Sequence, residues 1–264
     1  MSLAYEPYKK FIEARLTIVN KEQREVPFKL NPIQDKFVQV ATGKDIILKA
    51  RQQGFSSFIL AAFTADFLFK ENSLSVVIAD IADNALDLLG RVKGYIKSYE
   101  EATGVKVPFK YNSKYELHNG ANNARYIIGT AENTQFGRSK TITNLHMSEG
   151  AFYPHFRKLQ SSAGTALVPD GKFVIETTAN GFNEFKEFWD EANLGETSFT
   201  PHFFKASDFY SPEFLESEKK RLGREYQQEY PNDPLEAFIT SGESYFSKDA
   251  MQYYLSQVQE PVSA

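Results

Sequence analysis

Short apolar blocks alternate along this chain with longer stretches of helical spacing. DIILK runs into SSFILAAFTADFLFK, and LSVVIAD into DNALDLLGRVKGYIKSYEEA. Short strands are expected around KVPFKYN, KYELHN and ARYIIGT, TITNLHM precedes a helix after Tyr153, KFVIETT precedes NEFKEFWDEA, and TPHFFKA is a last strand. Upstream, LNPIQDKFVQV starts a helix with Pro32 in its first turn. Such alternation predicts an α/β fold with a mostly parallel central sheet flanked by helices. TITNLHM is less apolar than a strand buried on both faces, because Asn144 and His146 interrupt it. Three regions follow: a helical arm and charged turn over 1–27, a core over 28–210, and a charged helix with a Pro-, Asp- and Gly-punctuated linker or docking segment over 211–264.

Composition narrows the classes without choosing among them. With 264 residues, 42% hydrophobic and 24% charged, the chain has the make-up of an ordinary globular protein. It shows no long apolar span and no apolar leader, so no membrane partner is expected and a cytoplasmic setting is the default. The absence of cysteine excludes disulfides and thiolate metal sites. A net charge of −4 speaks against coating nucleic acid through the overall field, while leaving local basic patches open.

Ligands of parallel sheets bind at the carboxyl ends of strands, where KARQQGFSS, the turn after Thr130, SEGAF and TTANG all fall. KARQQGFSS sits between a strand and a helix, as a phosphate-binding loop would. Against G-x-x-x-x-G-K-[ST], Gly54 and Ser56 match, whereas Lys49 takes the first glycine's slot and Phe55 the lysine's. The physical needs can still be met by backbone N–H groups from Arg51 through Gln52, Gln53, Gly54, Phe55, Ser56 and Ser57, by cations on Lys49 and Arg51, and by a Ser56 hydroxyl on Mg²⁺. A plain strand-to-helix turn with solvated basic residues fits the same letters. Gln34 carries an amide able to pair with an adenine edge, or to be solvated. Glu149 ends a strand, as a group orienting water would, and Ser148 stands where an aspartate is expected near Mg²⁺; a serine helix cap is the rival account. Thr177, Thr178 and Asn180 suit a loop that senses a phosphate, or any Asn-Gly turn. Arg138 could stabilise transition-state charge or contact DNA phosphate. The four histidines show no metal-ligand spacing.

In order, LNPIQ, KARQQGFSS, SEGAF and TTANG resemble the adenine motif, variant Walker A, Walker B with catalytic glutamate, and coupling motif of the large terminase subunit of tailed bacteriophages. EYPNDPLEAFITSGESYF resembles the stretch after the ATPase core, and the likeness runs roughly over residues 28–246. The resemblance implies a RecA-like, ASCE-type P-loop ATPase core using ATP and Mg²⁺, with Lys49 and Arg51 supplying the charge that Phe55 cannot. It assigns Gln34 to adenine, Ser56, Ser148 and Glu149 to the metal, Glu149 and Arg51 to catalysis, and Thr177, Thr178 and Asn180 to coupling, with Arg138 kept as a further catalytic candidate from its own chemistry. It also implies a motor that drives double-stranded DNA into a procapsid in the host cell cytoplasm, as a homo-oligomeric ring on the portal protein with a small terminase subunit as partner.

Two other readings share these letters. A single RecA-like domain of a helicase or other nucleic-acid-dependent ATPase would have the glutamine and the strand-end carboxylate, but too few residues follow Gly181 for the second domain that closes its cleft. A non-catalytic scaffold with a degenerate loop is suggested by Phe55 and Ser148 and opposed by Gly54, Ser56 and Glu149. Terminases of the resembling family carry a C-terminal nuclease domain, for which too few residues follow Phe246. The chain, a piece of a longer protein or a separate motor domain, is therefore expected to hydrolyse ATP without cutting DNA. Metal-dependent nicking of supercoiled plasmid by the pure chain is the result that would contradict this.

Overall fold

The computed structural model describes residues 4–134 and 140–240, together with Tyr253. The order is α1 (Glu6–Arg15), β1 (Thr17–Val19), β2 (Glu25–Pro27), α2 (Pro32–Val40), β3 (Lys44–Lys49), α3 (Phe55–Phe69), β4 (Leu74–Ala79) and α4 (Ala82–Thr103). There follow β5 (Phe109–Asn112), β6 (Glu116–Asn119), β7 (Arg125–Thr130), β8 (Ile142–Ser148), α5 (Phe156–Gly164), β9 (Leu167–Thr177), α6 (Glu184–Asn193) and β10 (Thr200–Phe204). The last elements are α7 (Pro212–Leu222), α8 (Tyr226–Glu229) and α9 (Pro234–Thr240).

Eight strands form one sheet in the order β10-β3-β9-β8-β4-β7-β6-β5. The first six run parallel, and β6 and β5 close one edge antiparallel. Strands buried on both faces need apolar residues on both, and alternate positions deliver them. Ile47, Val77 and Val174 face a layer built from α1 to α4, while Ile46, Leu48, Val76, Ile78, Leu145, Met147, Phe173 and Ile175 face a layer built on α5, α6 and α9. The sheet is thus the middle of three layers. α3 is apolar around its circumference, and it lies buried along nearly its whole length against the sheet.

Three expectations are altered. Residues 4–27 do not stand off as an arm, because Tyr5, Ile12 and Leu16 are buried in the same cluster as Phe37 and Phe58. Between α1 and α2 the chain also pairs β1 with β2, a two-stranded ribbon too short to show a period in the sequence. Over residues 212–238 the chain packs on the core, as a docking segment does and a linker does not: Leu215 and Tyr230 close over Ala50 and Ala206, and Phe238 packs against Phe185. Asn144 and His146 are fully buried in β8, so polarity there reflects internal pairing and not an exposed strand. Asn144 donates to Asp66 and Ser75, and Asp66 in turn accepts from Tyr8 of α1.

α2 begins with a reciprocal cap. The Asn31 side chain accepts from the Gln34 backbone N–H at 2.9 Å, and Gln34 Oε1 accepts from the Asn31 N–H at 3.0 Å. Asn31 Nδ2 also donates to the Gln53 carbonyl at 3.0 Å. Asn31→Ala is expected to lower unfolding free energy by about 1–2 kcal/mol in urea denaturation. A loss within error would show that the cap is dispensable.

Candidate functional site

Period two also decides which side chains meet at the carboxyl end of the sheet. Lys49 shares the face of Ile47, Glu176 that of Val174, and Ser148 that of Asn144 and His146, so all three turn toward α3. Register completes the placement, since Ile47 is opposite Glu176 and Ser148 is opposite Glu176 across the neighbouring pair. Three adjacent strands therefore deliver one polar cluster beneath the start of α3.

At its centre lies Glu176, fully buried. Its Oε1 accepts from Ser148 Oγ at 2.7 Å, from Ser56 Oγ at 2.8 Å and from His146 Nε2 at 3.2 Å, which places the ring proton on Nε2. Its Oε2 lies 3.2 Å from Lys49 Nζ, and the same ammonium donates to Glu149 Oε1 at 3.1 Å. Burial opposes the charge on Lys49, but the two carboxylates outweigh it and hold the ammonium above the usual lysine range. Burial would likewise raise Glu176, yet Lys49, His146 and Ser148 keep it well below the ordinary carboxylate range. Glu149 goes the other way. Crowding by the protein raises it, with Glu176 adding to the rise and Lys49 opposing it, although 31% of the side chain remains in solvent.

Glu149 sits at φ 59 and ψ 45, a left-handed backbone that costs a non-glycine residue about 1–2 kcal/mol. Neighbouring groups over-determine it. Its N–H donates to the Glu176 carbonyl at 2.7 Å, and its Oε2 lies 3.4 Å from both Thr177 Oγ1 and the Thr178 N–H. The next turn is clasped from the same loop: Ala151 N–H donates to Thr177 Oγ1, while Asn180 Nδ2 and Asn183 Nδ2 both donate to the Ala151 carbonyl. The loop after β9 and the turn after β8 are thus tied to one another.

The 50–54 loop takes positive φ at Gln52 and Gly54 and then opens α3, whose first turn has no side-chain cap. Gly54 is required twice over. Its φ is +83, and an added Cβ would lie 2.7 Å from Gln34 Nε2, the group that donates to the Gly54 carbonyl at 2.8 Å. Gln53 is buried and donates to the Lys205 carbonyl. Phe55, in the slot where a lysine is expected, packs between Phe37 and Phe204. Ser57 is buried, with its Oγ accepting from Arg91.

Several candidates land elsewhere than expected. The Gln34 amide does not face an open base site: it is buried, with both ends engaged by the Asn31 N–H and the Gly54 carbonyl, so it anchors the loop. Arg51 turns outward and pairs with Glu229 at 3.2 Å, while its backbone is bracketed by the Glu229 carbonyl and the Tyr210 hydroxyl; it does not converge with Lys49. Arg138 lies outside the described residues. Lys220 and Arg221 pair with Glu216 and Glu218 on α7, as on a solvated mixed-charge face, and Arg157 pairs with Glu191. Among the described residues no three His, Asp or Glu side chains gather in a metal-holding group, and no helix is long and apolar enough to cross a membrane. Sequence reasoning missed Glu176. Its signal was a lone carboxylate in KFVIETT, a run otherwise suited to burial on both faces.

No family model matches the chain. Among solved structures, it is similar to a mutant of the large terminase ATPase domain of Thermus phage P74-26, at 17% identity and a TM-score of 0.60, covering 77% of this chain and 93% of that one. It is similar to the large terminase of bacteriophage HK97 at 17% identity and a TM-score of 0.62, covering 91% of this chain and 51% of the other, about half its length. A thermophilic-bacteriophage large terminase in complex with ATP-gamma-S aligns at 13% identity and a TM-score of 0.52, over 73% of this chain and 48% of that one. The fold is therefore the one these ATPase domains share, a mostly parallel sheet flanked by helices.

Removing one member of a buried ion pair leaves an uncompensated charge. Lys49→Met is expected to cost about 3–5 kcal/mol of unfolding free energy, and Lys49→Met combined with Glu176→Leu less than the sum of the two single losses. Additive losses in chemical denaturation would show that the two charges are not coupled. Because Glu176 is held below its unfolded value of about 4.3, its contribution is complete above that pH and is lost progressively as the pH falls from there through the lower folded-state pKa. Glu176→Gln should flatten that part of the acid limb.

Proposed function

We propose that the chain is the ATP-hydrolysing motor domain of a viral DNA-packaging terminase, which moves double-stranded DNA into a procapsid. The observation that carries this reading is the meeting of Lys49, Ser56 and Glu149 with the uncapped first turn of α3, at the carboxyl ends of adjacent parallel strands. Backbone N–H groups at a helix start favour anions through unsatisfied donors and the helix dipole. A triphosphate laid there meets the ammonium of Lys49, which exchanges its contact with Glu149 for phosphate oxygens. Releasing Lys49 frees the Glu149 carboxylate to orient and deprotonate water, and a raised pKa suits that task. Thr177 and Thr178, beside Glu149, with Asn180 on the following turn, carry the resulting shift into the loop after β9.

The residues present fit Mg²⁺, a hard cation that binds through oxygen donors and keeps several of its waters. The Ser56 hydroxyl would be its protein ligand, with the Glu149, Ser148 and Glu176 oxygens close by; bound, the ion neutralises charge developing on the phosphates. The similarity to a large terminase ATPase domain, and to a large terminase in complex with ATP-gamma-S, supports ATP as the substrate. Double-stranded DNA, a portal protein, a small terminase subunit and further copies of this chain in a ring are the partners that this reading supplies. Arg138 remains the proposed transition-state cation, acting in its own subunit or a neighbour's. Arg51, tied to Glu229, is better suited to shaping the loop.

Glu149→Gln is expected to bind ATP as wild type does and to lose about 100- to 10,000-fold in steady-state turnover with Mg²⁺. Near-normal turnover would remove Glu149 from the role of base. Wild-type turnover should rise with pH through the Glu149 pKa, placing its acid limb above the ordinary glutamate range. Linear duplex DNA should stimulate that turnover, and a chain that binds no ATP at millimolar concentration would be the scaffold instead.

A further inference from the structure

The site holds one more carboxylate than its lysine needs. Lys49 is already paired with Glu149, yet Glu176 brings a second negative charge, fully buried, to the place where an anionic triphosphate is to bind. An ionised group buried at that depth is costly unless other groups use it. One ammonium between two carboxylates leaves an excess of negative charge, which repels phosphate and attracts a cation.

Hydrogen-bond direction shows what the extra carboxylate does. A serine hydroxyl has one proton and two lone pairs. Ser56 commits its proton to Glu176 Oε1 at 2.8 Å, so its lone pairs remain for a ligand at the mouth of the loop. Ser148, at the end of β8 where a carboxylate is expected, has no charge to accept that proton and instead gives its own to the same Oε1 at 2.7 Å. Ser148 and Glu176 are direct register partners on adjacent strands. The carboxylate has crossed from one strand to the next while its oxygen stays within reach of Ser56.

Resting on the ATPase reading, we infer that Glu176 is the positioning carboxylate for the nucleotide's Mg²⁺. It accepts the hydrogen bond of the Ser56 hydroxyl, so that the oxygen's lone pairs can ligate the ion, and its charge favours the ion's hydration shell. Position 176 thus supplies what position 148 lacks. The competing account is that Glu176 is a buried counter-ion for Lys49 alone. That account predicts a stability defect and no change in how strongly Mg²⁺ promotes nucleotide binding.

The test is calorimetric titration of the whole chain with ATP, once in excess EDTA and once in Mg²⁺, reading the ratio of the two affinities. Wild type should bind more tightly with Mg²⁺. Glu176→Gln should lose about tenfold or more of that enhancement through weaker binding in Mg²⁺, whereas a ratio lowered only by tighter binding in EDTA, as loss of a repelling charge alone would give, counts against the inference. Ser148→Asp combined with Glu176→Ser, which returns the carboxylate to β8, should recover it. Full enhancement in Glu176→Gln would overturn the inference and leave the ATPase reading standing. A folded double variant that fails to recover would overturn it equally. Where circular dichroism shows Glu176→Gln unfolded, the double variant decides alone. Wild type that binds no ATP in either buffer overturns the parent reading and this inference with it.

Discussion

One ammonium group held between two carboxylates organises the whole upper end of this sheet. Lys49 is almost completely buried, and a lysine in that position stays charged only because Glu149 and Glu176 lie 3.1 and 3.2 Å away. Each partner comes from a different strand end, so the ion cluster fixes β3, β9 and the turn after β8 to one another at the level where α3 starts. The two carboxylates are not equivalent. Glu176 is sealed in and stabilised as an anion by four donors, whereas Glu149 reaches solvent and is pushed toward neutrality. The difference in surroundings separates a fixed charge from one that can change partners.

Around this cluster the loop is built to keep its shape. Gln34 and Asn31, from the start of α2, each hold a loop carbonyl, and Gln53 holds the chain after β10. Phe55 contributes from below, since its ring is gripped by Phe37 and Phe204. A lysine in that slot would have to bury its stem among aromatic rings. Moving the cation to the end of β3 therefore solves a packing problem as well as an electrostatic one.

Much of the fold was legible because burial on both faces leaves an unmistakable trace. DIIL, LSVVIA and KFVIE are apolar at consecutive positions, as central parallel strands must be, and the helices between them carry the expected spacing. The site was legible where the chemistry is local, as at Gly54, Ser56 and Glu149, which sit at turns the sequence marks. It was not legible where a side chain's partner is distant along the chain. Gln34 reads as a free amide until the Gly54 carbonyl is seen beside it, and Arg51 reads as a phosphate ligand until Glu229 claims it. Glu176 was hidden for the opposite reason: surrounded by strand-forming residues, it read as part of the strand, and only the register across β8 and β9 shows what it faces.

The grip of the C-terminal segment on the 50–54 loop has a mechanical side. The Tyr210 hydroxyl holds the Arg51 carbonyl, and the Glu229 carbonyl holds the Arg51 N–H, so the loop is fastened on its outer side to chain that itself packs on the core. A change in the C-terminal segment therefore reaches the 50–54 loop directly through these backbone contacts, without passing through the sheet.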